Sequence, residues 1–292
     1  MLQAPQRTGL SGPTLIRLLT RLTDADVQQS RQSLSDHLSQ WLGWTDAIAL
    51  SAALNTSPPV IAPGARLFSS AEERECVRVR TTLADAIASD TAATAAKRVA
   101  PVAAPAKKLA AALAEDEFDY SSFRQRYLSL QHTMETSIGN LRSRLRGMVA
   151  ARNGEWTRLA VVDAIMDRAL LPKERALLGA IPKLLQTHFE RLRKAEEAAL
   201  AAAQAEAAAE AQALADAPAD AASEADGNAK ADGDAKVAAV DAAPAKAAAA
   251  APAITAGAWL DTFRADMRAV LLAELDVRLQ PVEGLLAALR TS

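Results

Sequence analysis

Residues 123–148 read FRQRYLSLQHTMETSIGNLRSRLRGM, and they carry the clearest structural signal in the chain. Large apolar side chains recur there at intervals of three and four residues, which is the period of an amphipathic α-helix. The spacing predicts one long helix from about Ser121 to Ala151, buried along a single stripe. The stripe consists of Phe123, Tyr127, Leu130, Met134, Ile138, Leu141, Leu145 and Met148.

The N-terminal part, residues 10–90, shows the same periodicity in shorter runs. Apolar residues between Val27 and Ala52 predict a continuous helix whose apolar face packs inward. Tryptophans at helical spacing usually serve packing, so we expect Trp41 in the core. Trp44 is expected to shield the helix edge or to contact a partner. The less favoured alternative is an aromatic ligand pocket beside His37.

A further helix follows the proline-rich stretch NTSPPVIAPG, residues 55–64. Ser70 and Glu73 fit a capping box, in which the serine caps the first turn and the glutamate reaches back. The inward face of this helix is predicted to carry Cys76, Val79, Leu83 and Ile87. A buried and unreactive thiol is the expected state of Cys76.

The central part, residues 116–215, continues after the long helix with two more helical patterns. The first is expected to end at Pro172, and Pro182 is expected to break or restart the second, because proline lacks the N–H that a helix interior needs. Beyond Arg193 the chain is rich in alanine, which favours helix but offers little apolar area to bury.

Two segments of low complexity separate these parts. Residues 91–115 are interpreted as an Ala/Pro linker, and residues 216–256 as a disordered linker of Ala, Asp, Pro, Gly and Lys. The C-terminal part, residues 257–292, is again an amphipathic helix, which Pro281 should kink or split. It is too apolar to remain in water, and we expect it to dock on its own chain or on a partner.

Self-docking is the favoured alternative for this helix. Trp259 and Phe263 have the size to fill a groove between the long helix and the helix that carries Trp41. No segment shows the alternation of β-strands. The sequence therefore predicts an all-α protein, an irregular bundle of long amphipathic helices with a disordered linker and a docked C-terminal helix.

Composition narrows the class of protein. The 292 residues carry a net charge of −2, so no overall field attracts nucleic acid or a membrane surface. Cys76 is the single cysteine, which excludes an internal disulfide and a multi-cysteine metal cluster. We expect neither a leader sequence nor a membrane span, because no apolar run reaches the ~20 residues that a span needs. A cytoplasmic location is the expectation.

Candidate sites are few. His132 and Glu135 have the i, i+3 spacing found in di-iron bundles, but no second pair lies on a neighbouring segment, so a solvated pair is expected. Arg142 and Arg146 belong to a basic cluster with Arg144 and Arg152. The cluster is interpreted as a solvated helix face, with an acidic protein partner as the second interpretation.

The sequence contains no catalytic motif, phosphate-binding loop or cofactor signature, so we predict no catalytic, metal or cofactor-binding residues. The leading hypothesis is a non-enzymatic helical scaffold or adaptor that acts through helix-face contacts with proteins. Its partner-binding residues are predicted to be Trp44, Arg142, Arg146, Trp259 and Phe263. A homo-oligomer is also compatible with this pattern. The alternatives are a helical metal-binding or catalytic bundle and an amphipathic granule- or nucleoid-associated protein.

Several stretches together resemble a known family. They are RTGLSGPTLIRLLTRL (7–22), SLSDHLSQWLGWTDAIALSAAL (33–54), LAVVDAIMDRALLPKERALLGAIPKLLQTHFERLR (159–193) and LLAELDVRLQPVEGLLAAL (271–289). The set resembles an uncharacterised all-helical proteobacterial family of the domain-of-unknown-function type. Members of that family are often encoded beside OmpA-type envelope proteins, so the resemblance implies a cytoplasmic helper of an envelope assembly. It transfers no site residue.

Overall fold

The structure is a computed structural model and describes residues 13–23, 32–55, 68–96, 119–215 and 257–291. All regular secondary structure in these ranges is α-helical, which confirms the predicted fold class. The helices are α1 Thr14–Thr23, α2 Leu34–Trp41, α3 Trp44–Asn55, α4 Ser70–Ala96, α5 Tyr120–Ala150, α6 Gly154–Leu178, α7 Ile181–Ala215 and α8 Ala258–Arg290. The proposed disordered linker 216–256 lies outside the described residues.

The chain divides into two units. The main body comprises Met1–Arg191 and Leu260–Ser292, and the alanine-rich unit comprises Leu192–Trp259. In the alanine-rich unit the side chains of residues 201–212 are all exposed, as the lack of large apolar residues predicts. The backbone N–H of Gly257 donates to Glu196 at 2.7 Å in this unit. Gly257 has a φ of 88°, a conformation that glycine adopts without steric cost.

The C-terminal helix α8 forms the centre of the main body, which confirms the prediction that it docks on its own chain. Its side chains are buried on more than one face, as expected for a helix surrounded by others. Polar contacts join it to α1, α4, α5, α6 and α7. Its buried apolar residues include Leu260, Phe263, Met267, Val270, Leu271, Leu275, Leu279, Val282, Leu285, Leu286 and Leu289.

The long helix α5 contacts α8 through Phe123, Tyr127 and Gln131. It begins one residue before the predicted start, where the side chain of Asp119 accepts from the N–H of Ser121. Its predicted stripe is buried except at one position, because Leu130 is half-buried and Gln131 takes the inward place. A spacing of three to four residues is compatible with either Leu130 or Gln131 on the buried face. The hydrogen bonds of Gln131, described below, explain why Gln131 is the buried one.

An aromatic cluster joins α5, α7 and α8 at one end of this core. Phe263 of α8 contacts Phe123 and Phe189 edge to face, with centroid distances of 5.2 and 5.0 Å. Such pairs stabilise by about 0.5–1.5 kcal/mol beyond the area they bury. The groove that receives Phe263 therefore lies between α5 and α7. The prediction that it lies between the long helix and the Trp41 helix is wrong.

Both prolines expected to interrupt helices lie inside continuous ones. Pro172 is within α6 and Pro281 within α8. A proline in a helix interior costs about 3 kcal/mol, and buried residues on both sides can offset this cost. Pro172 is exposed, so its ring meets solvent, while Ile165 and Leu178 hold the flanking turns. Pro182 is the second residue of α7, as predicted for a restart.

The N-terminal helices differ from their prediction in two ways. The helix expected between Val27 and Ala52 breaks at Leu42, which has extended backbone angles, so α2 and α3 are separate. Because the break redirects the chain, the predicted stripe does not share one face, and none of its residues in these two helices is buried. The capping box of α4 is formed by Ser69 and Glu72, one residue before the predicted pair.

Burial of α4 also departs from the prediction. Leu83 and Ile87 are 3% and 1% exposed, but Cys76 and Val79 are only half-buried. Partial burial raises the pKa of the Cys76 thiol, and the nearby carboxylate of Glu283 acts in the same direction. The thiol is therefore held in its protonated form at neutral pH, which fits the expected low reactivity.

The stripe of α5 generates a stability prediction. Leu141→Ala should lower the free energy of unfolding by roughly 2–5 kcal/mol, since Leu141 is 3% exposed and the truncation leaves a cavity. Leu128→Ala is the matched control on the same helix, because Leu128 is 39% exposed. Urea denaturation of both variants measures the difference. Equal losses for the two variants would show that the stripe is not the packed face.

Candidate functional site

The most unusual feature of the core is a buried polar cluster around Glu274, which we call the Glu274 cluster. It consists of Tyr127, Gln131, Glu174, Glu274 and Arg278. Glu274 has no exposed surface, and Tyr127 and Arg278 are 1% and 8% exposed. Burying a carboxylate costs several kcal/mol unless other groups replace its hydration. The contacts of Glu274 provide this replacement.

Both carboxylate oxygens of Glu274 accept hydrogen bonds from the cluster. The hydroxyl of Tyr127 donates to Oε2 at 2.7 Å, and the amide of Gln131 lies 2.9 and 3.0 Å from the two oxygens. Arg278, one turn further along α8, donates to Oε1 at 2.9 Å. Both oxygens of the buried carboxylate are therefore satisfied by groups of the same chain.

The cluster also joins α6 to the centre of the bundle. Arg278 donates to Glu174 of α6 at 3.0 Å, and the amide of Gln131 donates to the carbonyl of Leu178 at 3.1 Å. Burial raises the pKa of Glu174, against the lowering effect of Arg278. These contacts connect α5, α6 and α8, so the Glu274 cluster serves structure in the state described.

The Glu274 cluster was not predicted from the sequence. Glu274 and Arg278 interrupt the apolar run LLAELDVRL, and they follow Met267 and Leu271 at intervals of three and four residues. Their position on the buried stripe was therefore readable from the same period as the leucines. Gln131 gave a weaker signal, because Leu130 beside it is the more apolar choice for the stripe.

Arg142 and Arg146, predicted as partner-binding residues, contact carboxylates of their own chain. They form a box with Asp163 and Asp167 of α6, in which each arginine contacts both aspartates at 2.5–2.8 Å. The arginine side chains are 15% and 19% exposed, so the prediction of a solvated face is wrong for this pair. Arg144 is 48% exposed and lies 3.6 Å from Glu75.

Trp44 is the most exposed large apolar residue of those predicted to bind a partner. It is 82% exposed, and Trp41, expected in the core, is 36% exposed. The interpretation of Trp41 as a core residue is wrong, because α2 and α3 bury no side chain completely. The ring of His37 lies 6.0 Å from that of Trp41.

The other two predicted partner-binding residues are buried. Phe263 has no exposed surface and packs in the aromatic cluster, and Trp259 in the alanine-rich unit is 8% exposed. Glu135 forms a hydrogen-bonded ion pair with Arg175 of α6 and also interacts electrostatically with His132. In the described part of the chain, no group of three or more His, Cys, Asp or Glu residues could hold a metal ion. Over the same part, no helix is long and apolar enough to cross a membrane.

The Glu274 cluster predicts a large effect of a small substitution. Glu274→Gln should lower the free energy of unfolding by about 3–5 kcal/mol, since it removes the fully buried one of the two carboxylates that pair with Arg278 and leaves only the partly exposed Glu174. Asp276→Asn is the matched control on α8, because Asp276 is 56% exposed in its ion pair with Arg80 and should contribute at most about 1 kcal/mol. Thermal and urea unfolding measure both. A cost for Glu274→Gln no larger than that of the control would contradict the structural role.

The two tyrosines of the chain, Tyr120 and Tyr127, predict a pH effect. Burial raises the pKa of Tyr120 from 10.0 to about 12, and burial together with the negative charge of Glu274 raises that of Tyr127 further. The folded protein thus retains these protons where the unfolded chain loses them. Their contribution to stability is complete below about pH 10 and is lost as the pH rises.

Phenolate absorbance measures this effect directly. The folded protein should show no tyrosine ionisation at pH 10, whereas the chain in denaturant should titrate near that value. Ionisation of either tyrosine near pH 10, with helix content unchanged, would refute the burial of that hydroxyl.

Comparison with known proteins gives a family. The family model described as "Protein of unknown function (DUF3348)" matches residues 1–221 and 233–291. No curated protein and no solved structure is significantly similar to the chain. The match includes all eight described helices, with the α5–α6–α8 core and the exposed α2–α3 pair. The chain belongs to the DUF3348 family.

Proposed function

We propose that this protein is a non-enzymatic helical adaptor that binds a protein partner through the outer side of α2 and α3. The observation that carries the proposal is Trp44, which is 82% exposed at the start of α3. Tryptophan is enriched among the residues that contribute most to protein–protein binding. A side chain of this size left in water is costly, and a partner surface would remove that cost.

The apolar character of α2 and α3 supports the same surface. Trp44 and Ile48 are one turn apart on α3, and Ile48 is 53% exposed. Leu34 and Trp41 are seven residues apart, and therefore on one side of α2, with exposed fractions of 75% and 36%. Both helices contact α6, and Asp46 of α3 pairs with Arg168 at 3.3 Å. The remaining apolar surface is available to a partner.

Charge indicates what kind of partner fits. Residues 32–55 contain no lysine or arginine, so they offer nothing to bind phosphates of nucleic acid or an anionic membrane surface. Their two acidic groups are occupied, Asp36 in the capping box with Ser33 and Asp46 in the pair with Arg168. The proposed partner surface is therefore an uncharged, apolar groove of another protein.

The absence of catalysis is part of the proposal. It is supported by the contacts of the buried polar groups. The members of the Glu274 cluster bond to one another, and Arg142 and Arg146 pair with Asp163 and Asp167. The rival is a metal-binding or catalytic bundle, which metal analysis of the purified protein would identify by stoichiometric iron or manganese. The setting that we propose, a cytoplasmic helper of an envelope assembly, rests on the resemblance given above.

The test uses a photo-reactive amino acid in place of Trp44 in the native cell. It should crosslink to one protein, because the residue lies in the proposed contact. Val77 of α4 is the matched control position, since it is a single apolar side chain that is 65% exposed. Ile48→Asp should suppress the crosslink by placing a charge in the apolar contact. Equal crosslinking at positions 44 and 77 would contradict the proposal.

Purified components give the magnitude. Trp44→Ala should weaken binding of the crosslinked protein by about 30-fold or more, which corresponds to at least 2 kcal/mol for a residue at the centre of an interface. Val77→Ala should leave the affinity unchanged. Both variants should keep the melting temperature of the parent protein, because neither side chain is packed in the core.

A further inference from the structure

The residues that hold α1 against the rest of the main body also contact a buried histidine, His188. His188 of α7 is 5% exposed and lies between Asp266 of α8 and Arg191 of its own helix. Its Nε2 is 2.9 Å from Oδ2 of Asp266 on α8, and its Nδ1 is 3.1 Å from a terminal nitrogen of Arg191. Both ring nitrogens therefore have a partner, and the ring of Phe263 lies 6.2 Å away.

These partners fix the protonation state of the ring. A guanidinium group can only donate hydrogen bonds, so Nδ1 of His188 must accept from Arg191. The Nε2 atom then carries the hydrogen and donates it to the carboxylate of Asp266. The imidazole in this arrangement is neutral and exists as a single tautomer.

The same two partners hold the last turn of α1. The Arg191 nitrogen that contacts the histidine also donates to the carbonyl of Leu22 at 2.8 Å. Arg21 of α1 lies 3.3 Å from Asp266. Burial of Leu15 and Leu22 also anchors α1. A helix of ten residues is marginal in isolation, so its order depends on this attachment.

A proton on Nδ1 of His188 would disturb this arrangement. It would direct an N–H at the guanidinium of Arg191, so the hydrogen bond would be lost and two positive groups would face each other in a poorly solvated place. The negative charge of Asp266 on α8 stabilises the protonated ring, whereas the positive charges of Arg191 on α7 and Arg21 on α1 destabilise it. Movement of Arg191 away from the ring relieves the repulsion, and it also removes the bond to Leu22.

We propose that protonation of His188 releases α1 from the rest of the main body. Histidine is the side chain that ordinarily gains a proton between about pH 5 and 8, which sets the pH range for the test. The release exposes Leu15 and Leu22, which α1 buries in the attached state. The adaptor would then present a second apolar surface in acid, independent of the α2–α3 surface proposed above.

Hydrogen exchange of the full chain tests the proposal. The protection of the α1 amides, corrected for the intrinsic effect of pH on exchange, should fall at least about tenfold between about pH 8 and pH 5, the two ends of the ordinary histidine range. Amides in the centre of α8 should keep their protection, which distinguishes local release from global unfolding.

Two variants supply the comparison. His188→Gln keeps an acceptor for Arg191 and a donor for Asp266 but has no titratable group, so its α1 protection should not change with pH. His132→Gln, at an exposed position of α5, should behave as the parent protein. An equal fall of protection in His188→Gln, or no fall in the parent protein, would overturn the proposal.

A measurement on the parent protein remains decisive if His188→Gln does not fold. The ring signals of His188 in an NMR titration should change with the same midpoint as the loss of α1 protection. Different midpoints would show that another group controls the attachment of α1, and the proposal would be wrong.

Discussion

The buried pair of Glu274 and Arg278 is the constraint on which the rest of the main body depends. Two opposite charges in a core lose their hydration, and only a complete set of hydrogen bonds offsets that cost. Here the set requires Tyr127 and Gln131 from α5 and Glu174 from α6. Because these donors and acceptors come from different helices, a shifted or rotated α8 would leave a buried charge unsatisfied. We infer that the cluster selects one docking position for a helix whose leucines alone would tolerate several.

The apolar and ionic contacts around the cluster follow from that position. Phe263 reaches the aromatic cluster, and Met267 and Leu271 continue the buried face of α8 one and two turns further on. On another side of α5, Arg142 and Arg146 face α6 and pair with its aspartates. The long helix thus uses an apolar stripe towards α8 and a charged one towards α6. This division explains why a basic cluster in the sequence does not form a basic surface.

The distribution of polar groups has a consequence for function. The buried polar side chains of the core are engaged in contacts within the chain, whereas the α2–α3 pair exposes Trp44 and Ile48. A site for chemistry needs polar groups with unused capacity, and a surface for docking needs exposed apolar area. The described part of the molecule shows exposed apolar area more clearly than it shows polar groups with unused capacity. The His188 contacts add a way in which the exposed area could change with pH.

The sequence by itself determined the secondary structure class and most of the buried stripes. Spacings of three and four residues located α5 and α8, because a helix must bury one side and the period follows from its geometry. Glu274 and Arg278 also lie at these spacings. They were not assigned to the buried stripe because only apolar residues were counted in it. Local signals placed caps to within one residue, as with Ser69 and Glu72.

Only the tertiary structure decided which patterned faces are covered and by what. The continuity of α6 through Pro172 depends on packing at both sides of the proline, which no local rule contains. The exposure of Trp41 depends on the break at Leu42, and the burial of Arg142 depends on aspartates about twenty residues away. In each case the deciding energy comes from groups distant along the chain. A short-range pattern predicts that a face is apolar or charged, but its neighbours in space determine whether that face is core, ion pair or surface.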